Sequence, residues 1–242
     1  FMRLTDIAKA LKEGSVGTLE AAGACAAAGI IVDIFTLTGL GNRFVDMVLT
    51  YGQNNLLLCL FLVMLVALAL GFPLPTVPAY ILTAAVGAPV LEKMGVPVLA
   101  AHMFVMYYAC VSTITPPVAF TAYAAAGLAK ADPNATAWQA TRLGIACYII
   151  PFAFIYNPAI LWSGSGYQIL WATMMVLLCG YALACGTNSN YHPVLRAVML
   201  AAAFVLLNNS IVFSVLGMTL VAGVILLQNL VLNKQRGAGL GG

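Results

Sequence analysis

The sequence predicts an all-α integral membrane protein whose helices are interrupted at membrane depth by one broken crossing and one re-entrant hairpin. Three observations carry this prediction. Hydrophobic residues make up 63% of the 242, charged residues 7%, and the mean hydropathy is +1.01, whereas soluble domains carry roughly a quarter charged residues. Apolar runs near the roughly 20 residues that cross hydrocarbon recur along the length. Two of these runs are cut by prolines, at "GFPLPTVP" (Gly71 to Pro78) and at "STITPP" (Ser112 to Pro117). A chain of this composition cannot cover itself with polar surface in water. The net charge of +3 comes from basic residues scattered through connectors, so no basic face exists for nucleic acid. Cys25, Cys59, Cys110, Cys147, Cys179 and Cys185 lie in apolar runs without CxxC spacing and are expected to be small buried hydrophobes.

Each element follows in order. Residues 1–20 place Leu4, Ile7, Ala8 and Leu11 at helical spacing with Arg3, Lys9 and Lys12 between them, the pattern of an amphipathic helix lying in the membrane interface. Opening on Phe1 without an initiator Met is expected to mark a piece of a longer chain. Residues 21–130 form the next unit. It starts with a Gly- and Ala-rich run able to pack closely, interrupted by Asp33 and ending at Gly39-Leu40-Gly41. "NLLLCLFLVMLVALAL" (Asn55 to Leu70) is then too short to span comfortably and stops at the first proline cluster, so residues 55–90 read as one crossing broken in its middle. Two half-length limbs, Val96 to Val111 and Val118 to Ala129, surround the second cluster. Bounded by Lys93 and Lys130, they read as a re-entrant hairpin over 96–129. Residues 131–163 are one transmembrane helix carrying Arg142, expected as a snorkelling interfacial anchor. Residues 164–233 hold three more helices, two of them short, and 234–242 form a disordered Gly-rich tail. Lys9 and Lys12 at one end and Lys234 and Arg236 at the other place both ends on the cytoplasmic side.

Irregular backbone survives at membrane depth only where it is buried in protein or lines a watery cavity. Two such interruptions facing each other can hold a cation on freed carbonyls and an anion on half-helix N-termini. Thr76, Ser112, Thr113 and Thr115 add hydroxyl oxygens suited to Na⁺. A lone proline would read as a simple kink, but two Pro-rich breaks with half-length limbs point to secondary transport. Asp33 is a candidate ion ligand by its place in an apolar run, or else reaches the interface near Gly39. His102 reads as a hydrogen-bonded packing histidine, and Tyr107, Tyr108 and Trp138 as belt or packing residues. Neither HExxH nor GxSxG occurs, so no enzyme is expected.

"GFPLPTVPAYIL", "STITPPVAFTAYAAAGLAKADPNATAWQATRLG" and "IIPFAFIYNPAIL" together resemble the large membrane subunit of tripartite ATP-independent periplasmic (TRAP) transporters. They are most similar to the fused permeases that work with TAXI-type substrate-binding proteins. The resemblance covers about Arg3 to Leu161. It implies half of an elevator-type transporter of inverted-repeat construction, multi-pass in the cell inner membrane, driven by a sodium gradient and fed with small organic anions such as carboxylates by a periplasmic TAXI-type protein. No cofactor beyond the coupling Na⁺ is implied. By motif, Gly71, Pro73, Pro75 and Thr76 with Ser112, Thr113, Thr115, Pro116 and Pro117 would form one half of the ion and substrate region. The first helix would be an arm between scaffold and moving domain. The first repeat, in an N-terminal half of the permease, would be a required partner, and these residues alone are expected not to transport. Two departures from the family pattern stand out. Thr113 occupies a place where the family often has Asp or Asn, and Pro73 and Pro78 are added to a break that often reads "GMGLPTTAAY". The rival readings are an anion–sodium symporter needing no binding protein and a non-transporting structural subunit.

Overall fold

The computed structural model describes residues 3–52, 55–72, 74–187, 192–207 and 211–238. Among them every regular element is helical, as eleven α-helices and two short 3-10 turns. The chain divides into two compact units, Phe1–Ala140 and Thr141–Gly242.

The first unit begins with α1 (Leu4–Leu37), a single helix of 34 residues. The expected arm boundary at residue 20 falls inside it. No proline interrupts Leu4–Leu37, and glycines inside a helix cost only about 1 kcal/mol each, so nothing local stops it. The Arg3 N–H donates to the Asp6 carboxylate at 3.1 Å, closing the first turn. The helix ends where Gly39 takes a φ of +67°, a left-handed conformation that glycine adopts without a Cβ clash. There the chain bends by 73° into α2 (Leu40–Gly52).

Three helices then build the core: α3 (Leu56–Gly71), α4 (Thr76–Lys93) and α5 (Val98–Val111). Asn55 caps α3 by accepting the Leu58 N–H at 3.3 Å. Along α3, Leu57, Phe61 and Leu65 lie exposed while Leu60, Val63 and Ala67 are buried, so an almost wholly apolar helix still has an outer stripe suited to lipid and an inner one. Gly87 marks the closest approach, since a Cβ there would sit 3.0 Å from Val63 and 3.2 Å from Val105. Small residues at such crossings let membrane helices pack backbone to backbone. Phe104 and Tyr108 fill the centre edge to face, with ring centroids 4.9 Å apart. The unit closes with a 3-10 turn (Ser112–Ile114), α6 (Phe120–Ala129) and most of α7 (Pro133–Leu143). Ala119, Ala122 and Ala137 form a small buried cluster between the last two.

The second unit contains α8 (Ile145–Tyr156), a 3-10 turn (Pro158–Leu161), α9 (Gly166–Thr187), α10 (Pro193–Leu206) and α11 (Ile211–Ala238). Its core lies among α9, α10 and α11, around Cys179, Leu183, Met199, Ala203 and Val221. Of the expected crossing over 131–163, Pro133–Tyr156 runs as one candidate span through a single non-helical residue at Gly144 and stops at Asn157, because Pro158 removes an amide donor from the helix ladder. Residues 166–187, expected as a short helix, make 22 residues of α9. Pro133–Tyr156 and Gly166–Thr187 are long and apolar enough to cross a membrane, and the bent pair of α1 and α2 would make a third span. Of the tail expected to be disordered, residues 234–238 continue α11 and 239–242 lie outside the described residues. The cysteines also divide. Cys59, Cys179 and Cys185 are buried, but Cys110 is exposed on α5, which corrects the expectation of uniform burial.

Candidate functional site

The first break lies between α3 and α4. The Phe72 N–H still donates to Leu68 at 3.1 Å, the Leu74 N–H turns back to Gly71 at 3.2 Å, and α4 restarts with the Pro75 carbonyl accepting the Ala79 N–H at 3.0 Å. Both Pro75, as the cap, and Pro78, in the first turn, stand where an amide donor has no helical partner to lose. The break is thus a helix C-terminus followed by a helix N-terminus. Gly71 is buried, whereas Pro75 and Thr76 are exposed. Pro73, expected in the same set, lies outside the described residues.

The second break follows α5. Ser112 to Ile114 tighten into a 3-10 turn and Thr115 is extended. Pro116-Pro117 is cis, and Ala119 enters α6 from a left-handed backbone at φ +31°. Ser112 is 0% exposed and Thr113 5%, while Thr115 and Pro116 are half-buried and Pro117 is exposed. Each hydroxyl donates to the turn before it: Ser112 to Ala109 at 2.7 Å, Thr113 to Cys110 at 2.8 Å and Thr115 to Val111 at 2.6 Å. With its proton held this way, a hydroxyl oxygen presents lone pairs to whatever approaches. Hydroxyl and carbonyl oxygens of this kind suit a hard cation.

The two breaks touch. A Cβ added to Gly71 would fall 2.5 Å from the Ser112 Oγ, 2.9 Å from its Cβ and 3.6 Å from the Ala109 Cα. No side chain fits between them, so the end of α3 rests directly on the turn after α5. Of the residues expected to form the site, Gly71 and Ser112 make this contact, with Thr113 and Thr115 in the same turn. Thr76 sits at the exposed start of α4, and Asp33 is exposed on α1. The two limbs of the expected hairpin part at the tip, α5 packing on α3 and α4 while α6 joins the alanine cluster with α7.

Three side chains at this site escaped sequence reasoning. Tyr123 donates its hydroxyl to the Pro117 carbonyl at 2.7 Å and lies 3.4 Å from the Asn134 amide oxygen, tying the tip to α6 and α7. A tyrosine six residues after a proline pair was its only signal. Thr83 is buried and donates to Ala79 at 2.7 Å. Tyr80 meets His102 Nδ1 at 2.9 Å, and His102 Nε2 lies 3.6 Å from Glu92, so the histidine is bridged between two groups of α4. In the second unit Arg142 donates through Nε to the Thr187 carbonyl at 2.7 Å and through Nη2 to the same oxygen. It caps a helix end. A cleft of about 500 Å³ bordered by Asn157, Tyr167, Gln168 and Trp171 opens beside the "YNPAIL" stretch.

The family described as "Tripartite ATP-independent periplasmic transporter, DctM component" matches residues 1–169. Among curated proteins and solved structures, no chain matches.

Proposed function

Because the chain belongs to the DctM family of tripartite ATP-independent periplasmic transporters, a family of membrane permeases and not of enzymes, we propose that it serves a sodium-coupled importer of small organic anions such as carboxylates. The observation that carries this reading is the contact of Gly71 with Ser112. It joins two helix interruptions that would otherwise be separate costs in hydrocarbon, where each unpaired backbone group costs several kcal/mol.

In the proposed mechanism Na⁺ is held by hydroxyl and carbonyl oxygens of the tip, at Ser112, Thr113 and Thr115 with Pro116 and Pro117 shaping the turn. Gly71 allows the close approach, and Pro75 and Thr76 present the start of α4. The N-terminal ends of α4 and α6 offer partial positive charge for a carboxylate. TRAP permeases of this family work with a periplasmic substrate-binding protein and a small permease. We assign the binding partner to the TAXI type, the location to the inner membrane with several crossings, and the movement to the elevator type. The α5 limb of 14 residues and the α6 limb of 10 are each too short to span, which supports a re-entrant tip near the midplane.

The test is uptake of organic acids into proteoliposomes holding the complete permease, with and without its binding protein, under an imposed sodium gradient. Uptake that needs both is the expected result. Sodium-driven uptake without the binding protein would replace this reading with the simpler symporter, and uptake indifferent to sodium would remove the proposed ion site.

A further inference from the structure

We propose that the end of α9 holds the headgroup of an anionic phospholipid between Arg142 and Arg196. The proposal needs only the membrane setting of the chain and stands apart from the sodium site. Arg142 donates to the Thr187 carbonyl at 2.7 Å through Nε, and Arg196 donates through its Nε to the neighbouring Gly186 carbonyl at 3.1 Å. Both arginines are half-buried. Close helix packing brings them there. A Cβ on Gly186 would fall 2.8 Å from Leu200 and 3.3 Å from the Arg196 carbonyl, so α10 runs against α9 at this point. Thr187 and Arg196 lie beyond the residues that match the family.

A helix-capping role accounts for the bonds but not for the charge. A helix C-terminus carries roughly half an elementary negative charge, against two full positive charges here. The start of α10 at Pro193 adds its positive end on the same stretch. No carboxylate is available within the unit, because residues 141–242 contain no Asp or Glu at all, while Lys234 and Arg236 add further positive charge. A backbone carbonyl satisfies a donor and leaves the ion unneutralised, and an ion left so in a low-dielectric setting is costly. A phosphodiester supplies the missing negative charge and accepts the paired N–H bonds that guanidinium groups offer.

The surroundings favour a lipid over a free phosphate. Leu170, Met174, Leu177 and Tyr181 form an exposed apolar row along α9 that leads to this end. Acyl chains would lie along that row with the headgroup at the arginines, as at basic sites between transmembrane helices.

The test is thermal unfolding of the complete permease, delipidated in detergent, with short-chain phosphatidylglycerol, phosphatidylcholine or inorganic phosphate added at equal concentration. Phosphatidylglycerol is expected to raise Tm by about 3 °C or more, with little change from the other two. The double variant R142Q/R196Q is expected to lose that shift. Should it fail to fold, R142K/R196K, which keeps the charge but loses the fork, is expected to need several-fold more phosphatidylglycerol for the same shift. An equal shift from phosphatidylcholine, or an undiminished response in either variant, would overturn the proposal. A matching shift from inorganic phosphate would assign the site to a soluble anion and overturn the lipid reading.

Discussion

The two proline-broken segments look alike in sequence, but their surroundings differ. At the first, Pro75 and Thr76 are exposed, while Gly71 at one end and Pro78 at the other are buried. At the second, Ser112 and Thr113 are buried, each with its hydroxyl proton on the preceding turn. One break is an opening in a helix and the other is a packed knot of oxygen atoms. The comparison teaches that a proline pattern fixes where a membrane helix stops, while the neighbours decide whether the exposed backbone becomes a surface or an interior.

The most damaging way to break the comparison is Gly71→Val in the complete permease, which forces branched carbon into Ser112. Overpacking of this sort costs about 1–3 kcal/mol, and uptake is expected to fall by about tenfold or more. Gly127→Ala, where nothing lies within 4 Å of an added Cβ, is the matched control and should transport normally; equal loss in both would show that the Gly71 contact is unimportant. Thr115→Val tests the hydroxyl set of the second break directly. The sodium concentration for half-maximal uptake is expected to rise several-fold, and an unchanged value would remove Thr115 from the ion site. Tyr123→Phe removes the hydrogen bond to Pro117, worth about 0.5–1.5 kcal/mol, and should lower Tm accordingly. A Tm equal to the parent's would mean the tip is held by packing alone. The smallest effect belongs to Thr76→Val, whose exposed hydroxyl is expected to shift sodium dependence less than Thr115 does. The reverse ranking would mean the first break is the principal ion contact.

Much of the fold was legible because the solvent selects composition so strongly. A chain with 7% charged residues has few alternatives to membrane helices, and the prolines mark the two breaks because they lack a donor at known positions. The end of α1 was legible for a similar reason, in a glycine next to a run of helix formers. What escaped was nonlocal. Nothing near Gly71 in the chain announces Ser112, and Arg142 finds its acceptor 45 residues away at Thr187. The side-chain direction of the hydroxyls was hidden too, since a serine or threonine in a membrane helix either faces a ligand or bonds its own turn. The boundary expected near residue 20 falls inside α1 for the opposite reason. A change from amphipathic to apolar pattern near residue 20 marks a change of surroundings, and a helix can cross that change unbroken.

That unbroken helix has a mechanical meaning. At 1.5 Å per residue, 34 residues give a rod about 50 Å long, some 20 Å more than the hydrocarbon thickness. Whatever portion spans, the remainder must stand out from the membrane or lie far off the normal, with Ile7 and Leu11 exposed on it. A rod without an internal joint transmits displacement instead of absorbing it. The joint nearest to it is the sharp corner at Gly39, beyond which the much shorter α2 begins.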